Sequence, residues 1–410
     1  MKINTSRIHK RIAALAEIGK TSDGGSRRIA LTNDDIAGRD LVISWMKETG
    51  LDVQVDQIGN IFATLKGKTS GNPIMMGSHI DTVGNGGHLD GCYGVIGGLE
   101  VIATYVDSDE IPNHDLCVAI FTNEEGVRFQ PDMLGSLVYA GGMSVNDAHN
   151  IVSTDGKKLL DELANTNSLG SMECGSIIPY AFMELHIEQG PVLENNNSYI
   201  GAVGGVQGIS WTGITFKGQS NHAGTTPMNL RKDAAYAASR LTVSVREITE
   251  SIGDGQVGTV GVITPKPNLI NVVPGEVHMT VDLRNIDNQK LKEAEFLLEE
   301  VIEYICLEEG VTAETNQLVR FEPVVFDKRI SDLIANVAYE QGLICTRLNS
   351  GAGHDAQMMA RICPTAMIFV PSKDGISHNP KEYTSKVHLD AGAEVLLSAV
   401  AQLDSGKTLS

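Results

Sequence analysis

The chain has 410 residues, 42% of them hydrophobic and 20% charged, a balance that gives roughly two to three folded domains and excludes a disordered or low-complexity chain. Its 32 basic residues against 51 acidic ones leave a formal charge of −19. Such a surplus serves solubility and repels phosphate backbones and anionic lipid heads, so neither nucleic acid nor a membrane is an expected partner.

Apolar residues at helical spacing, Ile8, Ile12, Leu15 and Ile18, predict a surface helix over 8–18, and 40–49 repeats the pattern. Strand-like runs follow over 53–56, 61–65, 74–80 and 117–122, with a helix over 94–105 between the last two. Strands alternating with helices predict an α/β fold built on a mixed, largely parallel sheet covered on both faces, with ligand sites where strands end in loops. From 208 to 322 the pattern changes to strand 209–216, helix 231–248, strands 258–264 and 277–284, helix 289–310 and a strand near 311–316. This order predicts a ferredoxin-like α+β unit, four strands with two helices on one face, inserted as domain 208–322 into a domain made of 1–207 and 323–410. A helix over 331–341, a strand over 366–370 and a closing helix over 388–403 complete the chain, with no internal repeat.

Metal-type ligands punctuate this pattern. In the run from Pro73 to Thr82, His79 and Asp81 are two apart on a strand, so they share a face and Asp81 can fix the orientation and basicity of the imidazole. Asp90 lies among glycines just before a helix with a small-residue face, where its two oxygens can bridge two cations. The same loop lacks the lysine of a phosphate-binding loop. Glu124 and Glu125 end a buried strand, an expensive place for paired carboxylates unless cations or a shared proton offset them. One of the two suits metal ligation and the other proton transfer, and spacing leaves open which is which. His186 follows an apolar alternation and His378 sits in a loop. Jointly these residues make a set of nitrogen and oxygen donors that suits zinc, manganese, cobalt or nickel, and no G-x-S-x-G nucleophile competes with it.

Three groups in 208–322 look suited to an anionic or amide substrate: His222 in a small-residue loop, Asn271, and Arg284, whose guanidinium can fork onto a carboxylate. The six cysteines form no C-x-x-C pair and are expected as reduced thiols. The N-terminus has no apolar leader, and no run of about 18 apolar residues exists to span a bilayer. The expected compartment is the cytoplasm.

The blocks G-S-H-I-D-T, G-G-H-L-D-G, N-E-E-G-V-R-F, H-I-E-Q-G-P, N-H-A-G-T-T-P-M, N-V-V-P-G, S-G-A-G-H-D-A and D-G-I-S-H-N occur in this order. Together they resemble the hydantoinase/carbamoylase family of amidases, within the dinuclear metallohydrolases that include aminoacylase and glutamate carboxypeptidase. The resemblance implies two divalent metal ions per subunit, held by His79, Asp90, Glu125, His186 and His378 with Asp90 as the bridge. It implies Glu124 as general base, Asp81 as the support of His79, and Gln189, Asn271, Arg284 and Gly353 as substrate contacts. His222 is expected to reach the active site of a partner subunit and stabilise the oxyanion, across a homodimer formed by the inserted domains that also act as lids. Asp90 stands in G-G-H-L-D-G where peptidase relatives carry R-G-x-x-D-x-K-G, which demotes peptidase or aminoacylase activity. The implied reaction is hydrolysis of a small ureido acid: an N-carbamoyl-L-amino acid or N-carbamoyl-β-alanine to the amino acid, carbon dioxide and ammonia, with allantoate as the alternative substrate. A binding protein that keeps the fold without catalysis is the remaining reading, and the intact Glu124 argues against it.

Overall fold

The computed structural model describes residues 1–69 and 71–406. The chain divides into two compact units, 1–205 with 326–410, and 206–325.

The first unit is built on a sheet whose centre is four strands, Leu116–Phe121, Ile74–His79, Ala181–Ile187 and Thr365–Val370, in that order and mutually parallel. Every residue of these four strands is buried. Runs such as Leu-Cys-Val-Ala-Ile-Phe carry no polar alternation because helices cover both faces. The flanks are antiparallel: Ile61–Leu65 pairs with Leu116–Phe121, Asp52–Val55 with Ile61–Leu65, and Ile200–Val206 with Thr365–Val370. Parallel register places His79 opposite Phe121 and Ile187 opposite Val370, so the carboxyl ends of the central strands line one edge of the sheet.

Helix Cys92–Asp107 follows Ile74–His79 and leads into Leu116–Phe121. It lies close on the sheet because its inner face lacks side chains. A Cβ on Gly94 would stand 2.5 Å from the carbonyl oxygen of Leu185, and one on Gly97 2.7 Å from Leu185 Cδ2. Arg28 is wholly buried and donates to the carbonyls of Leu15, Ile18 and Ile80, tying the N-terminal segment to the end of the central strand.

Helix Asn33–Glu48 begins seven residues before the apolar spacing predicts and buries Val42 and Met46. Its first turns are held by a polar pair instead. Asp35 accepts from the Leu31 N–H at 2.8 Å and pairs with Arg39 at 2.9 Å, both out of solvent. Residues 134–165 form three short helices, Leu134–Tyr139, Val145–His149 and Leu159–Asn165, around a small cluster of Leu31, Ile58, Phe129, Leu134 and Leu163.

The second unit is a four-stranded antiparallel sheet in the order Thr312–Phe321, Gly208–Lys217, Glu276–Asn285, Val257–Lys266. Helices Ala234–Ile252 and Asn288–Glu309 bury one of its faces through Ile214, Phe216, Leu241, Met279, Leu298 and Ile302. Both helices start on an aspartate cap: Asp233 accepts from the N–H groups of Ala235 and Tyr236, and Asp287 from those of Gln289 and Lys290. Burial alternates along Glu276–Asn285, which separates the helix face from the open one.

Candidate metal centre and active site

Three imidazoles and two carboxylates from five separate places in the chain converge beyond the carboxyl ends of the central strands. His79 is the last residue of its strand and His186 the last but one of Ala181–Ile187, whereas Asp90, Glu125 and His378 lie in loops. His79 Nδ1 donates to the Asp81 carbonyl at 2.9 Å, and His186 Nδ1 to the Ile187 carbonyl at 2.8 Å. Each ring therefore turns its Nε2 inward. The Gly91 backbone nitrogen also lies 3.1 Å from His186 Nε2.

Asp90 sits between these rings and His378. Its Oδ1 is 3.1 Å from His186 Nε2 and 3.9 Å from His79 Nε2, while Oδ2 is 3.2 Å from His378 Nε2. His378 Nε2 is also 3.5 Å from Glu125 Oε2. Two ligand groups result, His79 with Asp90 and His186, and Asp90 with Glu125 and His378, the atoms of each within 4.8 Å of one another. Asp90 is common to both.

Asp81 supports this arrangement through different atoms from those the strand spacing predicts. Its carboxylate lies 3.9 Å from His79 Nδ1, so the orienting bond comes from its backbone carbonyl. The strand ends at His79, and Asp81 turns away from the shared face. Its two oxygens instead accept the N–H groups of Glu124 at 3.2 Å and Glu125 at 3.3 Å. One residue thus positions both the imidazole and the glutamate pair.

The groups surround a cavity of about 140 Å³ lined by His79, Asp90, Glu124, Glu125, Asp132, Gln189, Ala352, Gly353, His354 and His378, with no lysine or arginine among them. Burial, followed by the charges of Asp355, Glu125, Asp90 and Asp81, holds the Glu124 carboxyl well above the usual carboxylate range. Burial and then Asp90 and Asp81 do the same to Glu125. Burial lowers His79 to about 4, so its ring is neutral at physiological pH. Against the pull of burial, Asp90 draws His186 up to about 9, and it raises His378 as well. Three imidazole nitrogens converging on a cluster of acids with no lysine or arginine in the lining are a donor set that fits divalent metal ions, which would take the place of those protons.

The remaining predicted residues fall into two places. Gln189, at φ 58°, donates from Nε2 to Asp90 Oδ2 at 2.9 Å, and its buried Oε1 has no hydrogen-bond partner among the described residues. Gly353 lines the cavity, where a Cβ would stand 2.9 Å from Met133 Cε. His222, Asn271 and Arg284 belong to the second unit. His222 is exposed, and its Nδ1 accepts the N–H groups of Gly224 at 3.0 Å and Thr225 at 3.2 Å, which puts the ring proton on Nε2. Asn271 accepts from the Ala223 N–H at 3.0 Å and precedes Val272, the cross-strand partner of His222. Arg284 forks onto Asp282, with Nε 3.1 Å from both oxygens and Nη2 2.8 Å from Oδ2.

The sequence profile of peptidase family M20/M25/M40 matches residues 75–402. This chain belongs to that family. An N-carbamoyl-L-amino-acid amidohydrolase of Rhizobium meliloti is 39% identical over 98% of the M20 chain and 97% of its own length. An allantoate amidohydrolase of Bacillus subtilis is 36% identical over 95% of each. The crystal structure of an amidase of the hydantoinase/carbamoylase family from Burkholderia multivorans superposes with a TM-score of 0.96 at 40% identity, covering 98% of both chains.

Glu382, His354 and Glu184 of this M20 site were not singled out from the sequence. Glu382 accepts from the N–H groups of Leu89 at 2.9 Å and Asp90 at 3.3 Å and from the Ser377 hydroxyl at 2.9 Å, joining the Asp90 loop to the His378 loop. A Cβ on Gly87 would stand 2.1 Å from Glu382 Oε1, so glycine admits the contact. The His354 ring packs against that of His186, centroids 4.6 Å apart. Glu184 accepts from the Ser78 hydroxyl at 2.6 Å and the Ala356 N–H at 2.8 Å. Glu184 had a readable signal in its position two residues before His186 on one strand, and His354 in the block S-G-A-G-H-D-A, whereas Glu382 had none.

Proposed function

We propose that this chain is a metal-dependent amidohydrolase that cleaves the ureido C–N bond of an N-carbamoyl-L-amino acid or N-carbamoyl-β-alanine to the amino acid, carbon dioxide and ammonia. The observation that carries this reading is Asp90, shared by two ligand groups with the Glu124 carboxyl at the same cavity. The amidohydrolase names of full-length relatives at 39% and 35% identity support the substrate class. Allantoate is the second reading, favoured by relatives of that name in Bacillus subtilis and Escherichia coli.

Two divalent cations, zinc, manganese, cobalt or nickel, held by His79, His186, Glu125 and His378 with Asp90 between them, would polarise the scissile carbonyl and acidify water. Glu124, its carboxyl raised by burial, takes the proton of the attacking water and hands it to the leaving nitrogen. Asp81 holds Glu124 and Glu125 by their backbone N–H groups, so neither has to reorganise during the reaction. Gln189 and Gly353 meet the substrate beside the centre.

The 206–325 unit reads as a ferredoxin-like lid and dimerisation domain that supplies His222, Asn271 and Arg284. Asn271 and Arg284 hold the substrate carboxylate, and Nε2–H of His222 donates to the developing oxyanion of the partner subunit's substrate. Strand Val257–Lys266 stands at the edge of its sheet with Val262 and Ile263 exposed, and helix Ala234–Ile252 exposes Tyr236 and Val243, surfaces suited to a second copy. No described helix is long and apolar enough to cross a membrane, and all six cysteines are free, which supports a reducing, cytoplasmic setting.

The test is steady-state ammonia release from N-carbamoyl-β-alanine, several N-carbamoyl-L-amino acids and allantoate, with each cation supplied in turn. At least one ureido acid is expected to turn over with kcat/KM of roughly 10⁴ M⁻¹s⁻¹ or more. Inertness toward all of them, with cleavage of a dipeptide or an N-acyl amino acid, defeats the proposal.

A further inference from the structure

The cavity holds one carboxylate that neither ligand group nor the proton transfer uses. Asp132 lines it beside Glu124 and Glu125, half-buried. Among the described residues only its own backbone N–H donates to it, and no cationic side chain offsets its charge. Its position is set by the loop that bears the general base: the Met133 N–H donates to the Glu124 carbonyl at 2.6 Å, the Leu134 N–H to Asn123 at 3.3 Å and the Gly135 N–H to Thr122 at 2.8 Å. Gly126, at φ 65°, lets the two segments touch, since a Cβ there would stand 2.7 Å from Asp132 Cα. Asp132 is therefore held rigidly at the same cavity as the group that serves the leaving nitrogen.

An ionised carboxylate only accepts hydrogen bonds, and one partly withdrawn from water gains from each donor a ligand brings. Gln189 lines the same cavity, with its Nε2 already donated to Asp90 Oδ2 at 2.9 Å. A half-buried carboxylate that receives only its own backbone N–H, in so small a space, suits a ligand that brings N–H groups. A ureido group answers that description and an ordinary acyl amide does not, because the carbon under attack carries an –NH₂ in the first and hydrogen or carbon in the second.

We infer that Asp132 is the residue that selects carbamoyl over acyl substrates, its carboxylate accepting hydrogen bonds from the –NH₂ on the scissile carbonyl carbon. This rests on the amidohydrolase reading above and adds to it the contact that makes the ureido group the preferred one. Asp132 takes no part in moving the proton; it determines which substrate stands in front of Glu124.

The experiment compares the best N-carbamoyl amino acid of the panel with its N-formyl counterpart, in which hydrogen replaces the –NH₂. Dissociation constants are measured by calorimetry on metal-loaded protein in a Glu124→Gln background, with and without Asp132→Ala, and kcat/KM for the carbamoyl acid is measured with Glu124 intact. Asp132→Ala is expected to weaken the carbamoyl acid by about 10- to 100-fold, as for a lost hydrogen bond to a charged acceptor. The formyl acid, which has no –NH₂ to lose, is expected to change by less than about 3-fold, and Asp132→Asn, which keeps an acceptor, to recover part of the loss. Equal weakening of both ligands, or of neither, overturns the inference while leaving the amidohydrolase reading standing. A wild-type chain inert toward every ureido acid overturns both.

Discussion

Gly91 presents a bare Cα to the imidazole of His79: a Cβ there would stand 2.4 Å from Nε2, the atom that faces Asp90. Its φ of 64° is also one that a side chain resists. Gly91→Ala is expected to push the ring off its position, and metal affinity should fall by at least the roughly 10- to 100-fold seen when a ligand loses its support. Elemental analysis of purified protein checks this, and a variant with full metal content and unchanged turnover would contradict it.

Glu124→Gln keeps the size of the side chain and removes the proton acceptor. The backbone bond from Met133 to the Glu124 carbonyl at 2.6 Å does not depend on the side chain, so the loop should stay in place. Turnover is expected to drop by about 10²- to 10⁴-fold with metal content unaltered. Retention of wild-type kcat would remove Glu124 from its proposed role.

Metal removal should unsettle the fold as well as the activity. Asp90, Glu124 and Glu125 crowd one small cavity with no lysine or arginine to offset them, so a chelator is expected to lower Tm by several degrees, and added zinc or manganese to restore it. Titrating metal back should give a break at two equivalents per chain. A break at one would leave the shared position of Asp90 without a purpose.

His222 carries its ring proton on Nε2 because Nδ1 accepts two backbone N–H groups. If that donor serves the partner's site, chains with His222→Ala and chains with Glu124→Gln, each inactive alone, should complement when mixed, since each heterodimer then contains one intact site. Heterodimers confirmed by mass that stay inactive would place His222 in its own subunit's chemistry or outside it altogether.

Cys117 offers a pH test away from the site. Wholly buried on Leu116–Phe121, its thiol is pushed up by burial to about 12 from an ordinary 9.0. A folded pKa above the unfolded one gives stability that is complete below about pH 9 and is lost as pH rises toward 12. Urea midpoints at pH 8 to 11 should therefore fall more steeply for wild type than for Cys117→Ala, by up to about 1.4 kcal/mol per pH unit. Parallel slopes would show that the thiol stays protonated in both states or is reached by solvent. The cavity left by the substitution shifts the absolute stability of the variant without altering the comparison of slopes.

Much of the architecture was legible because the chain states it locally. The strand predicted over 61–65 forms as Ile61–Leu65, the one over 74–80 ends one residue early at His79, and the helix predicted over 289–310 forms as Asn288–Glu309. Each has an apolar run or period and a terminating residue that needs no distant partner. The first half of Asn33–Glu48 was hidden because Asp35 and Arg39 are buried as an ion pair, which a pattern of apolar residues does not register. The short helices after Met133 were hidden because Leu31 and Ile58, which they pack against, lie far away in the chain.

The sequence alone determined the inventory: which side chains are able to ligate a cation or carry a proton, and that His79 and His186 would fall at the ends of buried strands. Only the tertiary structure decided their partners, because a hydrogen bond is made between atoms and the one-dimensional order carries no distances. It aimed the Asp81 carboxylate at two N–H groups rather than at His79, gave Asp90 one oxygen for each ligand group, and brought Asp132 and Glu382, which belong to no motif, to the centre. Parallel register among strands whose residues lie scores of positions apart is what makes those meetings possible.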